Sequence, residues 1–250
     1  MPTHIERLEA HASHLLDAFI QLRERYALLE PMLFDESMPK ERCSGNQARG
    51  FCILKHSLFL SCSQDIANLT LDDDDKTPSL HNLIRAITDD VIRKELQNRF
   101  AIWKIPSIEE QTEPEIIEAL HRIELREEAE RREQFEKLYC EAMAIWAELS
   151  TSKKIKAFRI VRDKVSAHKE VRYVADKYQF VDIGTLGIKW GDLRSTIDRM
   201  KRLVELMGLL VRNAGFAWDM LDEQLSRASK GFWDISNAAE ESIESGERKQ

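Results

Sequence analysis

The sequence predicts an all-helical, soluble protein, and three observations lead there. Glycine and proline are scarce, with 9 Gly and 6 Pro among 250 residues. No stretch alternates apolar and polar residues for long, and neither Asn-Gly nor Asp-Gly, the dipeptides of tight hairpins, occurs. Charged residues make up 32% of the chain, which suits long helices with solvated faces. A chain of this length can bury a sizeable core without disulfide or metal staples.

The elements follow from periodicity. Thr3 to Met32 reads as a helix, because Ile5, Leu8, Leu15, Ala18, Phe19, Leu22, Tyr26 and Leu29 recur at helical spacing. Phe34 to Gly50, with Pro39, Ser44 and Gly45, reads as a loop. A second helix spans about Gln47 to Leu71, with Phe51, Leu54, Leu58, Cys62, Ile66 and Leu69 on one face. The carboxylates Asp72 to Asp75 lack the Gly and distal Glu of a calcium loop. They suit a helix start, with Thr77 as N-cap and Pro78 in the first turn. A third helix then runs from Ser79 to about Trp103. A fourth covers Glu115 to about Ser150, in a region (109–148) with thirteen Glu against four Arg and one Lys, a net −8. Its Glu/Arg pairs at helical spacing mark a solvated or coiled face. A fifth helix occupies Ser152 to about Ala167. His168 to Lys189 reads as a short irregular or partly extended connection. The last long helix runs from Trp190 to about Ala228, with Gly231 ending the pattern. The whole reads as one helical domain over 1–235, its core about 47–228, with a polar, flexible tail at 236–250.

Composition narrows the function classes. Cys43, Cys52, Cys62 and Cys140 form no Cys-x-x-Cys pair, so reduced thiols in a cytoplasmic protein are expected, with no zinc site and no cofactor. The first residues run into charged amphipathic sequence rather than a signal peptide, and no run approaches the ~18 apolar residues of a membrane span. A formal net charge of −7 argues against broad binding to nucleic acid, so any such binding must be local. His4, His11 and His14 read as surface residues and His56 as a packed one. Trp103, Trp146, Trp190, Trp218 and Trp233 are too spread for a base-stacking platform and read as core or interface anchors.

One segment carries chemistry. Residues 153–177 hold nine Lys or Arg against three carboxylates, a net +6 inside an acidic chain. Within it lies Arg162-Asp163-Lys164-Val165-Ser166-Ala167-His168. A guanidinium clamps phosphate and an imidazole moves a proton near neutral pH. Together they suffice to cut RNA without a metal. On the fifth helix, Ile155, Phe158, Val161 and Val165 form the apolar stripe, and Arg162 falls inside it. A guanidinium on a burying face needs a carboxylate, a phosphate or an interface. Arg159 sits four residues before Asp163, where the two can pair. Arg162 and His168 stand ~120° apart on an ideal helix. Either the helix loosens before His168, or two copies meet across a two-fold axis, which makes the protein a homodimer with a composite cleft. Arg followed by His after five or six residues also occurs at Arg7–His14 and Arg49–His56, but only Arg162 is followed directly by a carboxylate and lies in the basic segment.

Arg-Asp-x4-His at the end of a helix, in an all-helical chain, resembles the signature of the HEPN superfamily. The longer pattern is similar to its abortive-infection, Abi U-type branch. It comprises Leu69-Thr70-Leu71-Asp72 running into Thr77-Pro78-Ser79-Leu80, then the motif through Lys169, then Trp190-Gly191-Asp192-Leu193, over roughly 47–215. The resemblance implies an antiparallel helical bundle with additional N-terminal helices, and homodimerisation. It also implies metal-independent endoribonuclease activity in a toxin or phage-defence effector, with an antitoxin protein as a possible partner. Carried onto this chain, Arg162 and His168 would be the catalytic pair and Asp163 the residue that orients the arginine. Toxins of this superfamily that are controlled by tyrosine nucleotidylation carry Tyr two residues after the His. Here Glu170 stands there, and the nearest tyrosine is Tyr173.

The expected reaction uses the nucleophile that RNA carries, its 2′-hydroxyl. His168 would serve as acid or base, Arg162 would hold the non-bridging oxygens, and Lys164, Lys169 and Arg172 would bind flanking phosphates. The alternative is a non-catalytic helical module whose basic segment 153–177 docks RNA or an acidic protein.

Overall fold

A computed structural model describes residues 3–35, 45–106, 108, 111–167, 170–174, 176–180 and 183–233. The expected tail at 236–250 lies outside them. The helices are α1 (His4–Phe34), α2 (Gly45–Leu71), α3 (Leu80–Ile87), α4 (Asp90–Ala101), α5 (Pro114–Thr151), α6 (Lys153–Ile160), α7 (Trp190–Arg212) and α8 (Trp218–Trp233). A π-helix, Val161–Ala167, continues α6, and an antiparallel hairpin follows, β1 (Val171–Val174) with β2 (Lys177–Phe180). Among the described residues the protein is all-α apart from that hairpin. Among the described residues no helix is long and apolar enough to cross a membrane.

The chain divides into two compact units, Met1–Ile20 with Ser63–Phe216, and Gln21–Cys62 with Ala217–Gln250. In the first, α5 packs against α4, α6 and α7. The pairs Arg131–Asn213, Arg202–Glu141 and Arg199–Glu148 run in opposite senses along α5 and α7, so these helices are antiparallel. Arg93 over Tyr139, Gln97 with Glu136 and Phe100 against Phe135 show the same for α4 and α5. Two glutamates of the acidic α5, Glu141 and Glu148, thus pair with arginines of α7. Leu80, Leu83, Leu96, Phe135, Phe158, Leu193, Ile197 and Leu203 are sealed from solvent and form this unit's core.

In the second unit α8 runs parallel to the C-terminal half of α1. Pro31 explains part of the fit. Proline has no N–H, so the Ala27 carbonyl four residues earlier is left without its helical partner. Ser229 supplies one, its hydroxyl donating to that carbonyl at 2.6 Å. The Trp233 indole N–H donates to the next carbonyl, Leu28, at 3.0 Å. Arg23 pairs with Asp222 further up. Trp218 and Trp233 are buried here, as core anchors should be, whereas Trp190 in the other unit is 42% exposed.

Several boundaries differ from the periodicity reading. The expected third helix is two helices, because Asp89 accepts the N–H groups of Val91 and Ile92 and starts a new one. The cap of α3 is Ser79, whose hydroxyl accepts the Asn82 N–H at 3.2 Å, and not Thr77. The expected last helix is α7 and α8, parted after Asn213, which adopts a left-handed conformation (φ 51°) that Asn tolerates better than most residues. The N-terminal half of α2 does not bury its stripe: Leu54 is 39% exposed. His56 is exposed rather than packed.

Candidate functional site

Helix α6 starts at a clean break. The Ser152 hydroxyl accepts the Lys154 N–H at 3.2 Å and caps it. Its apolar stripe then seats it, with Ile155, Phe158 and Val161 fully buried. A second tie comes from the Trp190-Gly191-Asp192-Leu193 stretch. Asp192 accepts the Lys189 N–H at 2.9 Å at the start of α7 and pairs with Lys154 of α6 at 2.6 Å. Burial pushes the Asp192 carboxyl up, but Lys154 and the Lys189 N–H outweigh this and hold it below the usual carboxylate value.

At Val161 the winding changes. Val161–Ala167 is a π-helix, a form that appears mostly as short interruptions of α-helices, frequently at functional sites. The loosening that the sequence left open is therefore present within one chain. The segment ends where the Glu170 N–H donates to the Lys164 carbonyl at 2.8 Å. The same two residues pair through their side chains, Lys164 Nζ lying 2.8 Å from Glu170 Oε2.

Arg162 sits where the stripe placed it, with its side chain only 20% exposed. Its Nε donates to Asp163 Oδ1 at 2.6 Å, and its Nη1 donates to Asn68 Oδ1 of α2 at 3.4 Å. The carboxylate that a half-buried guanidinium requires is thus its own neighbour. Nη2 has no partner among the described residues and remains available to an oxyanion. Arg159 Nε approaches Asp163 Oδ2 at 3.6 Å, as the i,i+4 spacing predicted. Burial alone would raise the Asp163 carboxyl. Hydrogen bonding and charge from Arg162, with Arg159 behind it, reverse this and hold the group ionised below its ordinary value.

The structure so joins Arg162 to Asp163, while Lys164 turns to Glu170. His168 and Lys169 lie outside the described residues, as does the side chain of Arg172, whose backbone pairs with Gln179 in the hairpin. Lys164, expected to hold a phosphate, already shares its charge with Glu170. Sequence reasoning missed Asn68. Its only signal was a polar side chain directly ahead of Leu69-Thr70-Leu71-Asp72, beside the buried Ile66 and Ala67.

These features, an amphipathic α6, a π-wound Arg-Asp segment and an Asp192-capped α7, coincide with a family model that matches residues 5–232: HEPN, AbiU2. The chain belongs to the AbiU2 family. No curated protein and no solved structure matches it. AbiU2 is an abortive-infection branch of HEPN proteins, as the motif indicated. The match covers both units of this AbiU2 chain and every described helix. The histidines of α1 lie elsewhere: His11 is half-buried in a cavity of about 170 Å³ that His4, Arg7, Asp75, Asn82 and Arg85 also line. Among the described residues no cluster of three or more His, Cys, Asp or Glu could hold a metal ion.

Proposed function

We propose that this AbiU2 protein is a metal-independent endoribonuclease acting as a toxin or phage-defence effector. Two copies would pair so that Arg162 and His168 line a common cleft. His168 removes the 2′-hydroxyl proton, the oxygen attacks the adjacent phosphorus, and the 5′-oxygen leaves with a proton. The products are a 2′,3′-cyclic phosphate and a 5′-hydroxyl. Arg162 meets the charge that builds on the non-bridging oxygens. Asp163 and Asn68 fix its plane, so little reorganisation is needed when the phosphate arrives. The observation that carries the reading is Arg162 itself. It is a guanidinium on a burying face, held on two sides, with Nη2 unengaged among the described residues, six residues before a histidine.

The direct test is cleavage of a labelled single-stranded RNA in EDTA. Wild-type protein should cut it and leave cyclic phosphate ends, whereas Arg162→Ala and His168→Ala should not. A 2′-deoxy substitution at the cleaved nucleotide should block the reaction. Mixing the two inactive variants tests the composite cleft. A mixed dimer regains one complete site if Arg and His come from different subunits, and none if they come from the same one. Undiminished cutting by His168→Ala protein would remove the mechanism.

A non-catalytic docking role draws support from Lys164 and Glu170, whose mutual pairing is also what a purely structural motif would show. Toxicity on expression that disappears with either Arg162→Ala or His168→Ala, in folded protein, excludes it.

A further inference from the structure

The first turns of α1 and the helix α3 border a cavity of about 170 Å³. His4, Arg7, Leu8 and His11 recur at helical spacing on one side, and Asn82, Arg85 and Ala86 do so on the other. Asp75, from the connection between α2 and α3, completes the lining. All of them belong to one compact unit. The space is several times the ~30 Å³ that one water occupies, so a small molecule has room there.

Its chemistry is cationic. Two guanidiniums and two imidazoles face a single carboxylate. Arg85 Nη2 donates to Asp75 Oδ1, and Arg7 Nη2 donates to the Asp75 backbone carbonyl. Each guanidinium makes that one hydrogen bond among the described residues, although it carries five N–H donors. The cluster also works against itself. Burial first, then the charges of Arg7 and His14, hold the half-buried His11 below the usual imidazole value. An anion in the cavity would relieve that load.

Asn82 adds an acceptor. It is 8% exposed, and both its amide hydrogens are spent, on the carbonyls of Asp74 at 2.7 Å and Thr77 at 3.0 Å. That fixes the amide and leaves Oδ1 buried with no donor among the described residues. A ligand with a hydroxyl beside its charge would supply one. Donors from two separate helices suit an oxyanion with several terminal oxygens, and a phosphate monoester presents three. A polyanionic strand fits poorly. Asp73 and Asp74, both exposed, directly precede Asp75, so a strand laid over the cavity would bring further phosphates against carboxylates.

We propose that this cavity binds a small, hydroxyl-bearing phosphate monoester, its phosphate on Arg7 and Arg85 beside His11, and a hydroxyl on Asn82. The site shares no residue with the Arg162 motif and does not rest on the RNA-cleaving reading.

The test is isothermal titration of the full-length protein with ribose 5-phosphate, inorganic phosphate and ribose in phosphate-free buffer. Ribose 5-phosphate should bind, inorganic phosphate more weakly, and ribose not at all. Arg7→Gln and Arg85→Gln should each weaken binding roughly 10- to 100-fold, as loss of a hydrogen bond to a charged group does. Both arginines are exposed, so these changes should leave the fold intact. Asp75→Asn removes the competing carboxylate and should tighten binding, a gain that a damaged fold cannot imitate. Followed by NMR, the His11 imidazole should titrate at higher pH when ribose 5-phosphate is bound, because a nearby anion favours the charged form. His56, exposed on α2, should not move. No heat with ribose 5-phosphate overturns the site, as does binding untouched by both arginine changes. Weaker binding by Asp75→Asn, or a His11 indifferent to ligand, overturns it too. Inorganic phosphate held as tightly as its ribose ester removes the hydroxyl contact and gives the cavity to the bare ion. A 12-nucleotide RNA without terminal phosphates that displaces the ester through the same arginines gives it to a strand and ends the small-ligand proposal.

Discussion

Asp163→Asn separates positioning from folding. The substitution keeps the size and one acceptor of the side chain and removes its charge. In the native chain Asp163 Oδ1 takes the Arg162 Nε–H at 2.6 Å, with side chains 20% exposed for Arg162 and 40% for Asp163. A pair this solvated contributes about 0.3–1 kcal/mol to stability after screening. The melting temperature should therefore fall by no more than about 4 °C. The rate should fall much further, because a guanidinium free to swing by about 1 Å from its working position forfeits on the order of 100-fold. Quenched-fluorophore RNA cleavage in EDTA gives the rate, and urea unfolding gives the stability. The carboxyl is held below its ordinary value, so the stability it contributes is present above about pH 4 and lost as pH falls through the folded value. The stability gap between wild type and variant should close on that acid side. Arg162→Lys should be nearly as damaging as Arg162→Ala, since an ammonium cannot meet Asp163, Asn68 and a phosphate in one plane. Wild-type cleavage by Asp163→Asn protein would refute the positioning argument. So would a stability loss large enough to account for the whole drop in rate.

Phe158→Ala, at a fully buried position of α6, should cost about 3–5 kcal/mol in urea unfolding, with activity falling in step with the folded fraction. His11 is held below the usual imidazole value by burial first, then by Arg7 and His14. The stability it contributes is therefore full above the ordinary imidazole range and lost as pH falls through the folded value, and His11→Gln should flatten that slope between about pH 5 and 7. Arg202 forks Glu141 at 2.7 and 2.8 Å and reaches Glu205 at 2.8 Å. With these side chains partly exposed, Arg202→Lys should cost no more than about 1 kcal/mol, and 1 M NaCl should shrink the difference.

What was legible in the sequence is what depends on local periodicity. Ile155, Phe158 and Val161 announce the buried side of α6, and Arg162 inside that side announces a partner. The partner class was readable because a half-buried guanidinium leaves few choices. Breaks inside one expected helix were not read. At ~100° per residue Leu83, Ile84 and Ile87 share one face and Leu96 and Phe100 fall on roughly the opposite one, so the new start at Asp89 left a slip of phase and a pair of aspartates as its marks. The same holds after α7, where Asn213 bends the chain although apolar residues resume at Trp218. The hairpin carried none of the usual turn dipeptides. Val174 pairs with Lys177, which leaves a two-residue loop, and within it Asp176 takes φ 59°, doing what Asn or Gly does elsewhere. That loop length places residues five apart opposite each other, which is how Tyr173 meets Tyr178. Asn68 was invisible for another reason: it lies 94 residues from Arg162, and a single sequence records no such pairing.

The π-helix shows why the motif resists reading by ideal geometry. The ~120° between Arg162 and His168 assumes 100° per residue throughout. Between Val161 and Ala167 that assumption fails, because hydrogen bonds to the fifth rather than the fourth residue widen each turn. Wide turns are rare because they are less favourable than α-turns, so something outside the helix must hold this one. Two sets of contacts can do so. Upstream, Arg162 is fixed to Asn68 of α2 and so binds the start of the segment to a neighbouring helix. Downstream, the Glu170 N–H closes on the Lys164 carbonyl while the side chains pair, so the end is drawn back on itself. Asp163, between them, joins Arg159 of the regular helix to Arg162 of the wide one. The same polar residues that set the site's electrostatics therefore also set its backbone. Arg162, Asp163, Lys164 and Glu170 break the local rules for a surface helix together, and that cooperation in one nine-residue stretch is what points to function there.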